Sequence, residues 1–301
     1  MTARISFDKA SGKFVGFMGS KKVVTSKYKS AVEKRLADLG GNVDFEAAEA
    51  EAAKRDAKFG INTRFEFVEK LVNMVAAGVQ PSAVITGEGG LGKTYTVMKT
   101  LEKNGFKDMS DMSEFEVGAV ISRSKVFTMV KGYSTAKGLY RTLFENNKSV
   151  IVFDDCDAVL KDPVALNLLK GALDSYGKRI ISWNADMRDE DLPRSFNFEG
   201  RVIFISNMDQ NSIDQAIRSR SMLIDLSMNA DQKIERMETI AASASFMPEY
   251  DAKIKVDALN LIRDLKDSAK EISLRTLISV CKIRASNPKD YRDLAEYMLT
   301  A

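Results

Sequence analysis

Histidine is absent from this chain of 301 residues. The absence excludes every Ser-His or Cys-His nucleophile pair, every HExxH metal site and every imidazole general base. Cysteine is scarce as well: Cys156 and Cys281 stand far apart with no CxxC spacing, which argues against a disulfide framework or a structural zinc site. Chemistry here must rest on carboxylates, Lys, Arg and a metal held by oxygen. No apolar run nears the roughly 18 residues that a spanning helix needs, and 29% of the residues are charged, so no membrane segment is expected. The opening MTARISFDKASGK has no apolar core behind its basic residues, so neither a signal peptide nor an anchor is expected, and the expected location is cytoplasmic. The net charge of +3 is too small to indicate nucleic acid by itself.

What is present divides the chain into regions. Between Met1 and Gly40 nine basic residues (Arg4, Lys9, Lys13, Lys21, Lys22, Lys27, Lys29, Lys34, Arg35) face three acids (Asp8, Glu33, Asp38). This is either a solvated face or a contact surface for nucleic acid or an acidic partner. ISFDKASGKFVGFMGSKKVV reads as a hairpin broken by glycines. SKYKSAVEKRLADLGG reads as a helix capped by Ser26 and stopped by Gly40 and Gly41. DFEAAEAEAAKRDAKFG is a good helix former with little apolar face, a solvated connector. Residues 1–60 are therefore expected to form a small, mostly helical module.

From residue 61 onward apolar segments alternate with helical ones. Strands are predicted at 82–86 (SAVIT), 126–130 (VFTMV), 150–155 (VIVFDD) and 201–206 (RVIFIS), with weaker signals at 116–122 (EVGAVIS) and 222–226 (MLIDL). Continuous apolar strands without polar alternation suit a sheet covered on both faces. The expected fold class is α/β, a doubly wound parallel sheet over 61–227, followed by a helical domain over 228–301.

The stretch VITGEGGLGKTYTV carries GxxxxGK[ST] between an apolar strand and a helix. Its glycines allow successive N–H groups to turn inward on a phosphate. Lys93 can then reach the β and γ phosphates, Thr94 can offer a hydroxyl to magnesium, and the helix beginning there presents its positive end to the anion. The cofactor-binding set is Gly87, Glu88, Gly89, Gly90, Leu91, Gly92, Lys93, Thr94 and Tyr95. In SVIVFDDCDAVL the apolar strand ends in a carboxylate, which puts Asp154 beside the phosphate loop to hold Mg2+, while Asp155 can orient an attacking water. Helix capping is the plainer reading for Asp157.

With both motifs present, the chain resembles AAA+ ATPases, and the match covers about residues 61–301. The resemblance implies ATP and Mg2+ as cofactors and ATP hydrolysis as the activity. Asn207, after RVIFIS, resembles the polar residue of sensor 1. IDQAIRSRSMLIDL resembles the segment carrying the arginine finger, with Arg220 the first choice and Arg218 the second. ISLRTLISV is similar to the sensor 2 helix, with Arg275 facing the nucleotide. Asp155 departs from the family's usual Glu by one methylene, which implies slow or partner-dependent hydrolysis. The stretch 176–200, holding the single tryptophan, Trp183, is either a hairpin inserted before sensor 1 or a loop packed over the sheet. The resemblance implies a homo-oligomeric ring or spiral, hexameric by preference, acting on a DNA or protein substrate. Its clamp-loader-like and helicase-loader-like segments, and its similarity in size to phage-encoded members, point to replication, recombination or phage biology. The alternative is a nucleotide-gated adaptor that hydrolyses slowly or not at all and recruits a partner through residues 1–60.

Overall fold

The computed structural model describes residues 3–8, 13–18, 21–27, 32, 35–36, 58–109, 125–132, 134–175, 177–184 and 192–301. It comprises two compact units, Met1–Gly60 and Ile61–Ala301.

In the first unit β1 (Ala3–Asp8), β2 (Lys13–Met18) and β3 (Lys21–Ser26) form an antiparallel sheet in that order. Residues 32, 35 and 36 are helical, and Val32 and Leu36 are buried against Phe14, Val24 and their neighbours. Gly16 permits this approach, because a Cβ there would stand 2.6 Å from Val24 Cγ1 and 2.7 Å from Val32 Cγ1. The expected mostly helical module is thus strand-rich among its described residues. The aromatic and β-branched side chains of KFVGFM and KKVVTS favour strands there. Ser26 ends β3. The helices expected over 26–41 and 44–60 lie almost wholly outside the described residues.

The second unit runs α1 (Ile61–Ala76), β4 (Ser82–Thr86), α2 (Lys93–Lys103), β5 (Lys107–Asp108), β6 (Val126–Lys131), α3 (Ala136–Glu145), β7 (Val150–Asp154), α4 (Pro163–Ala172), β8 (Ile180–Ser182), β9 (Ser195–Asn197), β10 (Arg201–Ile205), α5 (Gln215–Arg220) and β11 (Met222–Asp225). Its six-stranded sheet has the order β11-β4-β10-β7-β6-β5, and every described pairing in it is parallel. β5 was not expected, since two polar residues carry no period. The expected strand at 116–122 lies outside the described residues.

The apolar strands are buried on both faces because successive side chains alternate between two cores. Ala83, Ile85, Val150, Val152, Ile203 and Ile205 face α1 and α2. Val84, Ile151, Phe153, Val202 and Phe204 face α3, α4 and α5. Each large apolar side chain buried this way contributes roughly 1.5–3 kcal/mol. Residues 176–200 include the antiparallel pair β8–β9, with Ile181 opposite Phe196. Trp183 packs on Tyr140 at a centroid distance of 5.8 Å, so the described part of this stretch is both strand-paired and packed against α3.

Four helices follow: α6 (Ala230–Ala241), α7 (Ala252–Asp264), α8 (Leu274–Ser286) and α9 (Tyr291–Thr300). They bury their own core around Met237, Ile262, Leu277 and Val280. Among the described residues no helix is long and apolar enough to cross a membrane.

Candidate functional site

The parallel sheet places three strand ends side by side. Ile205 pairs with Ile85 of β4 on one side and with Asp154 of β7 on the other. The residues that follow each strand, Gly87 onward, Asp155, and Ser206 with Asn207, therefore emerge at one edge, where ligands of open α/β sheets bind. Because β10 lies between β4 and β7, Asn207 stands between the glycine loop and the two aspartates.

The loop is built from backbone conformations that require glycine. Gly92, at the N-cap of α2, has φ 92° and offers no side-chain cap to the first turn, so those N–H groups face outward as anion donors. Gly87 has φ 133°, and a Cβ on it would stand 2.8 Å from the Leu226 carbonyl carbon. Leu91 is buried in the α1/α2 core and anchors the loop from below.

Lys93 is 5% exposed. Its Nζ donates to the carbonyls of Gly87 at 2.8 Å and Glu88 at 2.7 Å, and to Asn207 Oδ1 at 3.0 Å. Burial lowers its pKa, and the fields of Asp155, Asp154, Asp157 and Glu88 oppose that shift. Thr94 Oγ1 donates to Asp154 Oδ1 at 3.0 Å. Burial raises the Asp154 pKa, the Thr94 hydrogen bond opposes the rise, and the neighbouring Asp155 adds to it. Asp155 adopts φ 56°, its N–H donates to the Ile205 carbonyl at 3.0 Å, and its Oδ1 accepts from Asn207 Nδ2 at 2.6 Å.

A cleft of about 320 Å³ is lined by Gly89, Gly90, Gly92, Lys93, Thr94, Tyr95, Asp154, Asp155, Asn207 and, from the helical region, Leu274, Arg275 and Ile278. Tyr95 is 59% exposed at its rim. The helical region also touches the loop directly: the Leu274 N–H donates to the Gly90 carbonyl at 2.8 Å, and Glu88 pairs with Lys233 of α6.

The donor set suits a magnesium–nucleotide. One carboxylate and one hydroxyl, both hard oxygens, match an ion that keeps most of its shell as water and phosphate. Among the described residues no three His, Cys, Asp or Glu side chains converge into a self-sufficient metal cage. A buried ammonium and an uncapped helix N-terminus supply the matching positive charge.

Arg218 and Arg220 are not brought to this cleft. The Arg220 carbonyl accepts from Ser82 Oγ at 3.2 Å, at the start of β4, and the five-residue strand puts it roughly 13 Å from the loop end at about 3.3 Å per residue. Its Nη1 folds back to the Ala216 carbonyl at 3.2 Å, and its Nε has no hydrogen-bond partner among the described residues.

No motif marks Lys233 or Ser206. Asp157 does not cap α4; Asp162 does, accepting from Val164 and Ala165. Lys131 is a further cation near the site, its Nζ 3.9 Å from Asp154 Oδ2. The polar residue ending an apolar strand, VFTMVK, was the available signal for Lys131.

No protein-family profile matches the chain. It is 26% identical over 275 residues to the uncharacterized 36.7 kDa protein in the nrdC-mobD intergenic region of Enterobacteria phage T4, covering 84% of this chain and 80% of that one. It is similar to a katanin structure from a study of its self-assembly, at TM-score 0.38 and 14% identity, covering 76% of this chain and 69% of that one. The HORMA:CdnC:Trip13 complex of E. coli MS115-1 contains another similar chain, at TM-score 0.42 and 11% identity, covering 80% and 88%.

Proposed function

We propose that the chain is a magnesium-dependent ATPase of the AAA+ type that works as a homo-oligomeric ring or spiral. The observation that carries this reading is the meeting of Lys93, Thr94, Asp154, Asp155 and Asn207 at one sheet edge, joined by hydrogen bonds of 2.6–3.0 Å. Lys93 and the first N–H groups of α2 would bind the phosphates. Thr94 Oγ1 and Asp154 would hold magnesium, which neutralises charge on the phosphates. Asp155 accepts a proton from an attacking water, and Asn207 orients its carboxylate. Arg275 reaches the cleft from the helical region. Arg220, with Arg218 as second choice, serves a neighbouring subunit's site; its distance from the chain's own cleft supports this division. The substrate is DNA or protein, and the setting the cytoplasm of a prokaryotic or phage-infected cell.

A second reading, the nucleotide-gated adaptor, draws support from Asp155, whose carboxylate is already engaged by Asn207 and is one methylene shorter than the family's Glu. Phosphate release measured with and without Mg2+, and with and without DNA, separates the two. Magnesium-dependent release that disappears in Asp154→Ala supports the ATPase. Tight ATP binding without any release, alone or with DNA, supports the adaptor.

A further inference from the structure

One hydrogen-bonded pair beside the cleft has no part in the site as described above. Ser206, 1% exposed, follows β10 directly and precedes Asn207. Its Oγ donates to Asp157 Oδ1 at 2.6 Å and accepts from the Met208 N–H at 3.0 Å. The Ser206 N–H donates to the Ile85 carbonyl at 2.9 Å. Asn207 is thus flanked on both sides by groups tied to a single hydroxyl, and that hydroxyl is held by a carboxylate on the segment after β7. The same segment carries Asp155, whose N–H is tied to the Ile205 carbonyl. The turn that bears Asn207 and the turn that bears Asp155 are therefore joined three times: through backbone, through the Asn207–Asp155 contact, and through Ser206–Asp157.

We infer that Asp157 and Ser206 are positioning residues, which fix the Asn207 amide so that its Oδ1 meets Lys93 and its Nδ2 meets Asp155. The inference deepens the ATPase reading and rests on it for its kinetic consequence, but the positioning itself is a property of the chain alone. An Asn side chain has a soft terminal torsion, and with both amide ends in use a shift of the backbone beneath it breaks both contacts together. Loss of the buttress leaves phosphate binding by Lys93 and the α2 N-terminus in place, so the effect falls on turnover and not on affinity. A misplacement of about 1 Å costs up to roughly a hundredfold in rate.

The test compares full-length Asp157→Ala and Ser206→Ala with Asp157→Asn and Ser206→Thr, which keep an acceptor oxygen and a hydroxyl. The first readout needs no nucleotide: the Asn207 side-chain amide signal in 15N-Asn-labelled protein, identified by its loss in Asn207→Asp. It should move in both alanine variants and hold its place in Asp157→Asn and Ser206→Thr. The second is kinetic: kcat should fall about ten- to a hundredfold in the alanine variants, with ATP affinity unchanged and activity restored in the conservative pair. An Asn207 signal that stays in place in folded Asp157→Ala, or in folded Ser206→Ala should the first not fold, overturns the inference. Equal losses of affinity and kcat overturn it too. If the signal moves as stated but the parent binds no ATP, the positioning stands and the ATPase reading fails.

Discussion

Asn207 Nδ2 donates to Asp155 Oδ1 at 2.6 Å, so the tips of β7 and β10 present an amide and a carboxylate as one unit. The Asp155 backbone is left-handed, φ 56°, a region that Asp and Asn enter more readily than longer side chains. This gives a structural reason for a short acid at this position.

Asp155→Asn keeps the backbone preference and removes the proton acceptor. It should bind magnesium-ATP and assemble as the parent does, yet release no phosphate. Asp155→Glu should turn over ATP while losing up to about 1 kcal/mol of stability to the left-handed backbone. Paired melting curves and phosphate-release assays check both, and parental turnover in Asp155→Asn would move the proton acceptor elsewhere.

Arg220 has its backbone at the far end of β4 from the loop. Arg220→Ala should leave ATP affinity nearly intact and lower turnover about a thousandfold, the scale of a supplied arginine in phosphoryl transfer. Mixing it with Asp154→Ala subunits should recover part of the activity, since one interface then has two sound halves. A mixture that stays inactive while both variants assemble would refute the division between subunits.

Gly87 joins φ 133° to a backbone neighbour that a Cβ would approach to 2.8 Å. Gly87→Ala must push β4 away from the segment after β11, at a cost on the order of 1–3 kcal/mol for the strained conformation alone. Chemical denaturation should show it, whereas Gly105→Ala, also at positive φ but with open space around it, should cost less. Equal losses at the two positions would mean that the close contact contributes nothing.

Burial pushes the Cys281 thiol from 9.0 up to about 11. The native chain therefore keeps this proton where the unfolded chain loses it, and stability falls as pH rises from 9.0 to about 11. Cys281→Ala should flatten that part of the pH profile in thermal melts. Identical slopes for parent and variant would show the thiol to be accessible in the native state.

Much of the candidate site was legible because its residues are tied to strand ends. GEGGLGKT, VIVFDD and RVIFIS each announce an apolar strand and the polar residue after it, and a parallel sheet collects such ends at one edge. Other features were not legible, for definite reasons. Ser206 and Asp157 belong to different strand ends and meet only through the register of β10 with β7. Lys233 reaches Glu88 from a helix that sequence order places far away. In the first unit the hairpin expected in ISFDKASGKFVGFMGSKKVV is present among the described residues as β1, β2 and β3, whereas most of the residues expected to be helical lie outside the described ones.

Lys93 and Thr94 head the proposed magnesium–nucleotide site. The most direct measurement is equilibrium binding of ATP to the full-length chain and to Lys93→Ala, each with Mg2+ and with EDTA. The parent should bind ATP more tightly with Mg2+, and Lys93→Ala should lose at least about 1.5–3 kcal/mol of that affinity, the scale of a charge-assisted contact. Unchanged affinity in Lys93→Ala, or a parent that binds no ATP under either condition, would rule out a nucleotide site at this loop.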